Sequence, residues 1–106
     1  MDKEINRQIK TYKNNLELLG IKIKKIILYG SYAQGKAKKD SDIDLLVISN
    51  DFKDMDLWER LSLLGRARLG INRPMEIIGM TEDEYVSDEM GSFIKEEVKD
   101  KGVSIV

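Results

Sequence analysis

Two aspartates one residue apart, Asp42 and Asp44, stand at the head of an apolar run, ten residues after the pair Gly30 and Ser31. In a strand, residues two apart point to the same face with Cα atoms about 6.6 Å apart, so the two carboxylates can converge on one point. Alone, that convergence is costly. Two like charges about 5 Å apart at an effective dielectric of about 20 repel by roughly 3 kcal/mol, and a bound divalent cation turns the repulsion into attraction. Oxygen donors with no nitrogen or sulfur ligand nearby select a hard ion, and Mg²⁺ keeps coordination positions open for phosphate oxygens. Gly30, closing the preceding apolar run, lets backbone N–H groups approach an anion closely. Ser31 adds a hydroxyl at the expected N-terminus of a short helix, where phosphate binds well.

Composition narrows the chemistry further. With no cysteine and no histidine in 106 residues, disulfides, thiolate metal sites and imidazole are all excluded, so any reaction must run on carboxylates, hydroxyls, Lys/Arg and backbone amides. Gly30, Gly35 and Lys36 also match a P-loop up to its last position, where Ala37 replaces the magnesium-binding Ser or Thr. Only five residues separate Lys36 from Asp42, too few for the crossover of about ten or more that a P-loop helix and its next parallel strand require. A compact turn facing the aspartate strand is the expectation instead.

The elements that must hold these residues follow from periodicity. Ile5, Ile9, Tyr12, Leu16 and Leu19 line one face of a helix over 2–19 that Gly20 can end. Ile26 to Tyr29 and Ile43 to Ile48 read as buried strands, and Met75 to Met80, behind Pro74, as a third. Between the second and third, Asp54 or Asp56 can cap a helix turning Leu57, Trp58, Leu61 and Leu64 inward and ending at Gly70. Thr81 and Glu84 have capping-box spacing. Met90, Ile94 and Val98 suggest a last helix ending near Gly102, with Val103 to Val106 extended. The expected class is α/β, a small mixed sheet of three to four strands flanked by about four helices in one domain spanning 1–106.

Charge is uneven: residues 1–50 hold ten Lys/Arg against six Asp/Glu, and residues 51–106 hold eight against thirteen. A basic half can draw a polyphosphate, although solvated helix faces account for it as well. No run of about 18 apolar residues exists for a membrane span, and the first residues carry no apolar signal region, so a cytoplasmic protein is expected.

The stretch LYGSYAQGKAKKDSDIDLLVIS resembles the signature of the nucleotidyltransferase superfamily that includes DNA polymerase beta: Gly-Ser, ten residues, Asp-x-Asp. The short chain and its closing run SFIKEEVKDKGVSIV are most similar to the minimal nucleotidyltransferases. The resemblance implies that Gly30 and Ser31 hold a nucleoside triphosphate, and that Asp42 and Asp44 hold two magnesium ions. It also implies a third acid on a later strand, and Glu76, the only charge in RPMEIIGM beyond its leading arginine, is the candidate to hold metal and deprotonate the acceptor hydroxyl. A carboxylate expected to be buried there calls for a metal or a partner. Lys36, Lys38 and Lys39 are candidates to steady the leaving phosphates, while Gln34 stands where relatives often carry arginine. The implied reaction is attack of a hydroxyl on the α-phosphorus of ATP, with pyrophosphate leaving. Larger members bind the acceptor through added helical domains. The minimal ones are typically paired with a HEPN-domain toxin, and the expected acceptor is a tyrosine of that partner, with this chain as antitoxin and no direct nucleic-acid partner. A contact-only antitoxin and a small-molecule transferase are the alternatives. Trp58 is expected in core or interface, Tyr32 over the nucleotide or the sheet, and Arg66, Arg68 and Arg73 as dipole complements or phosphate contacts.

Overall fold

Ile5, Ile9, Tyr12 and Leu16 form the buried stripe of α1 (Lys3–Leu18), and Gly20, at φ +92°, turns the chain out of it. The computed structural model describes residues 3–87 and 94–105. The strands are β1 (Lys25–Tyr29), β2 (Ile43–Ile48), β3 (Met75–Met80) and the short β4 (Val103–Ser104), in the order β3-β2-β1-β4. β1 runs antiparallel to β2 and β4, while β2 runs parallel to β3. The antiparallel β1–β2 pair is incompatible with a P-loop, which needs a crossover to a parallel strand. That crossover lies instead between β2 and β3, carried by a 3₁₀ turn (Asn50–Phe52) and α2 (Leu57–Arg66).

One face of the sheet (Ile26, Leu28, Ile43, Leu45, Val47) packs under α1 and α2 in the main core. The other (Ile27, Tyr29, Leu46, Ile48, Met80) is more thinly covered, by Val98 of a π-helical segment (Ile94–Lys99) and by Tyr85 of α3 (Glu82–Ser87). Of the expected last helix, Met90 lies outside the described residues. The expected capping box of Thr81 with Glu84 forms at α3, and of the two candidate caps for α2 it is Asp56 that serves, in a further capping box with Glu59.

The inward face of α2 corrects the sequence reading. Leu64 is buried as expected, but Leu57 (67% exposed), Trp58 (78%) and Leu61 (47%) face outward. The face turned to the core carries Arg60, Leu64 and Ala67. Arg60 donates from Nε to the Met55 carbonyl, from Nη2 to the Phe52 carbonyl, from Nη1 to the Gly79 carbonyl, and from both Nη atoms to Glu84 (2.7 and 3.1 Å). This arginine, which the apolar pattern leaves unassigned, is therefore the polar staple joining the crossover, α2, β3 and α3. Arg60→Ala is expected to cost about 3 kcal/mol, read as a denaturation midpoint, because it removes five hydrogen bonds made by one largely buried guanidinium. The Arg60 hydrogen bond is the leading cause that holds the Glu84 carboxyl below its ordinary range. That contribution is present at neutral pH and lost as pH falls through the carboxylate range, so the variant's stability should fall less steeply there.

Candidate active site

The sheet register builds the site. Asp44 is paired with Tyr29 of β1 on one side and with Glu76 of β3 on the other. All three project on the thinly covered face, the one shared by Leu46, Ile78 and Ile27, because strand positions two apart share a face. Tyr29, Gly30, Asp44, Glu76, Ile78 and Glu97 line a cleft of about 310 Å³. The Asp44 and Glu76 carboxyl groups lie side by side, close enough for the charge of one to act on the other. Burial, then the charges of Glu76 and Asp42, push the Asp44 carboxyl up to about 6. Burial, then Asp44 and Glu76, hold the Tyr29 phenol well above its ordinary value.

Gly30 takes φ +73°, and a Cβ there would collide with the Asp44 carboxylate. This glycine therefore serves both backbone and neighbour: it turns the chain and makes room for the acid. The following residues close on themselves. The Ala33 and Gln34 N–H groups donate to the Gly30 carbonyl at 3.1 and 3.2 Å, and the Lys36 N–H to the Ser31 carbonyl at 2.9 Å. The short helix expected at Ser31 is thus a hydrogen-bonded turn over 31–35. Its tightness leaves no room for a second helical turn before Lys36.

A nucleotidyltransferase domain model matches residues 8–105. The chain belongs to the nucleotidyltransferase domain family. Three solved structures share the nucleotidyltransferase fold. A putative nucleotidyltransferase from Sulfolobus solfataricus gives a TM-score of 0.56 at 22% identity, over 98% of this chain and 86% of that one. A toxin–antitoxin with AMP-PNP gives 0.60 at 22% identity, over 95% of this chain and 72% of that one. A mutant of the toxin–antitoxin MntA-HpeT gives 0.61 at 21% identity, over 95% and 71%. In sequence, the putative protein adenylyltransferase MJ0604 of Methanocaldococcus jannaschii is 55% identical over 44 residues, which is 40% of this chain and 44% of that protein. The chain thus matches less than half the length of that relative.

In this member of the nucleotidyltransferase domain family, Asp44 and Glu76 come together as the sequence predicts, with Asp42 exposed one position before β2 and close enough for its charge to act on Asp44. Glu76 is exposed, not buried, because β3 is the edge strand of the sheet. Among the described residues no three carboxylates form a ready-made metal cage. The pair nevertheless fits Mg²⁺, which is held by one or two carboxylates plus substrate phosphates rather than by an all-protein cage, and whose charge would offset the repulsion between the two carboxylates. Lys36 is exposed and does not line the cleft.

Two cleft residues escape the sequence reading. Tyr29 looks like one more apolar strand position. Glu97 sits in a charged run that reads as a solvated helix, yet it faces the cleft, accepts from Gln34 Nε2 at 3.4 Å and pairs with Lys101 at 3.7 Å. The buried Val98 beside it is the signal that this segment packs on the sheet.

Proposed function

We propose that this chain is a Mg²⁺-dependent nucleotidyltransferase that moves AMP from ATP onto the hydroxyl of a tyrosine in a HEPN-domain toxin, acting as its antitoxin in the cytoplasm. The observation that carries the reading is the Asp44–Glu76 pair across two parallel strands, directly beside the Gly30–Ser31 bend. Asp42, Asp44 and Glu76 would hold two magnesium ions, which when bound neutralise phosphate charge and lower the pKa of the acceptor hydroxyl. The chain's own residues do the rest. The Gly30–Gly35 turn and the Ser31 hydroxyl bind and orient the triphosphate, with Lys36 at its outer side. Glu76 takes the proton of the attacking hydroxyl as the new oxygen–phosphorus bond forms and the bond to pyrophosphate breaks. In a chain with no histidine, a carboxylate is the available base. The toxin–antitoxin neighbours and the adenylyltransferase relative support the choice of acceptor and nucleotide.

The test is incubation of the native protein with α-labelled ATP and Mg²⁺, with and without the protein that copurifies with it. Label on a partner tyrosine, lost in Asp42→Asn together with neutralisation, is the expected result. Neutralisation that survives Asp42→Asn with no label would make the chain a contact-only antitoxin. Turnover without any protein would make it a small-molecule transferase.

A further inference from the structure

We propose that Arg73 is the positioning residue that fixes the Gly30–Gly35 turn against the carboxylate strands and thereby sets the affinity for the triphosphate. This rests on the transferase reading above. Arg73 stands two residues before β3, the strand of Glu76. Its Nη2 donates to the Tyr32 hydroxyl, inside the turn, and to the Lys39 carbonyl at 3.3 Å, in the loop that leads to Asp42. The Ile43 N–H donates to the carbonyl of Pro74, the next residue, at 2.9 Å. One guanidinium therefore links three segments: the turn after Gly30, the approach to the aspartates and the foot of the Glu76 strand.

The arrangement is unusual for a residue kept for stability alone, because Arg73 Nε is buried with no hydrogen-bond partner among the described residues, a cost that folded chains generally avoid. What the position gains is geometry. A planar guanidinium reaches two acceptors from one end in a fixed orientation, which a flexible ammonium does not reproduce. Segments that bind phosphate through backbone N–H groups work only when those groups are held in place. Donors that drift out of line lose their hydrogen bonds to phosphate, because such bonds weaken steeply with misalignment. Arg73 does not touch the cleft, so its loss should weaken nucleotide binding and leave the chemical step intact, which raises KM and spares kcat. Tyr32 acquires a defined task as the other half of the tether.

Wild type, Arg73→Ala, Arg73→Lys and Tyr32→Phe are compared by two measurements. The first is amide hydrogen exchange at Ala33, Gln34 and Lys36, whose N–H groups are bonded within the turn. The second is KM for Mg²⁺·ATP and kcat for label transfer to the copurified partner. Arg73→Ala should speed exchange at these amides about tenfold and raise KM by a similar factor, with kcat within about threefold of wild type. Arg73→Lys should restore only part of both, and Tyr32→Phe should add nothing in the Arg73→Ala background. Unchanged exchange in Arg73→Ala, or faster exchange with unchanged KM, overturns the inference. So does a global acceleration of exchange with a collapse of Tm, which would make Arg73 a general stabiliser. Absence of transfer by the wild type would overturn the transferase reading, and the exchange data would still decide whether Arg73 holds the turn.

Discussion

Asp44→Asn is expected to raise the melting temperature of the metal-free protein at pH 7 while lowering nucleotidyl transfer by about 10³-fold or more. The two effects have one cause. Burial and the neighbouring carboxylates raise the Asp44 carboxyl from 3.8 to about 6, so folding favours its protonated form. The stability this provides is complete below the unfolded value and is lost as pH rises through about 6. At pH 7 the ionised group works against the fold. The full shift would be worth about 3 kcal/mol, and solvent screening at a partly exposed site trims it to about 1–2 kcal/mol. Asparagine has nearly the same shape and carries no charge. The melting temperatures of the two proteins should therefore coincide near pH 4 and separate by several degrees, roughly 4–8 °C per kcal/mol, by pH 7. Mg²⁺ with ATP should stabilise the wild type by mass action and leave the variant unmoved. Thermal melts across this pH range, with and without Mg²⁺·ATP, give both answers. A large loss of metal-free stability in Asp44→Asn would instead make Asp44 a structural residue.

Glu76 as the companion of Asp44 was legible through the family resemblance, and strand parity makes the pairing geometrically possible. Asp42 and Asp44 share a strand face, Ile43–Ile48 and Met75–Met80 are mainly apolar runs that each carry one acid, they are joined by a helix-length crossover, and such a crossover makes the strands parallel neighbours. Once the register is set, Glu76 has two faces to choose from, and it takes the one bearing Ile78 and Met80 because Ile77 goes to the main core. The exposure of Glu76 was not legible, since an apolar surround in sequence does not reveal that β3 is an edge. The face of α2 was misread for a different reason. Its leucines and tryptophan give a plausible stripe, and the deciding contact is Arg60 with Glu84, 24 residues away. Periodicity counts apolar residues and cannot see a charged side chain satisfied by distant carbonyls. Glu97 was invisible on the same ground: its partner Gln34 is 63 residues away.

Gly30→Ala should be the most disruptive single-methyl substitution near the site, and Gly35→Ala measures why. Both glycines have left-handed backbones, φ +73° and +71°, so each alanine carries the same strain of about 1–2 kcal/mol. At Gly35 the added Cβ meets nothing within 4 Å, whereas at Gly30 it runs into the Asp44 carboxylate. Neither side can yield cheaply, because Tyr29 and Asp44 are directly paired in the β1–β2 ladder. A carboxylate that swings away abandons Glu76, and a backbone that shifts opens the ladder. Gly30→Ala is therefore expected to cost about 3 kcal/mol or more in denaturant unfolding, against about 1–2 for Gly35→Ala, and to lose Mg²⁺·ATP stabilisation. Shortening the opposing residue isolates the collision. In an Asp44→Ala background the Gly30→Ala penalty should shrink to that of Gly35→Ala, a coupling of roughly 1–2 kcal/mol in a double-mutant cycle. Equal penalties at the two glycines in the wild-type background would show that Asp44 does not rest against the bend. The bend and the strand of Asp44 would then have to be positioned independently of each other.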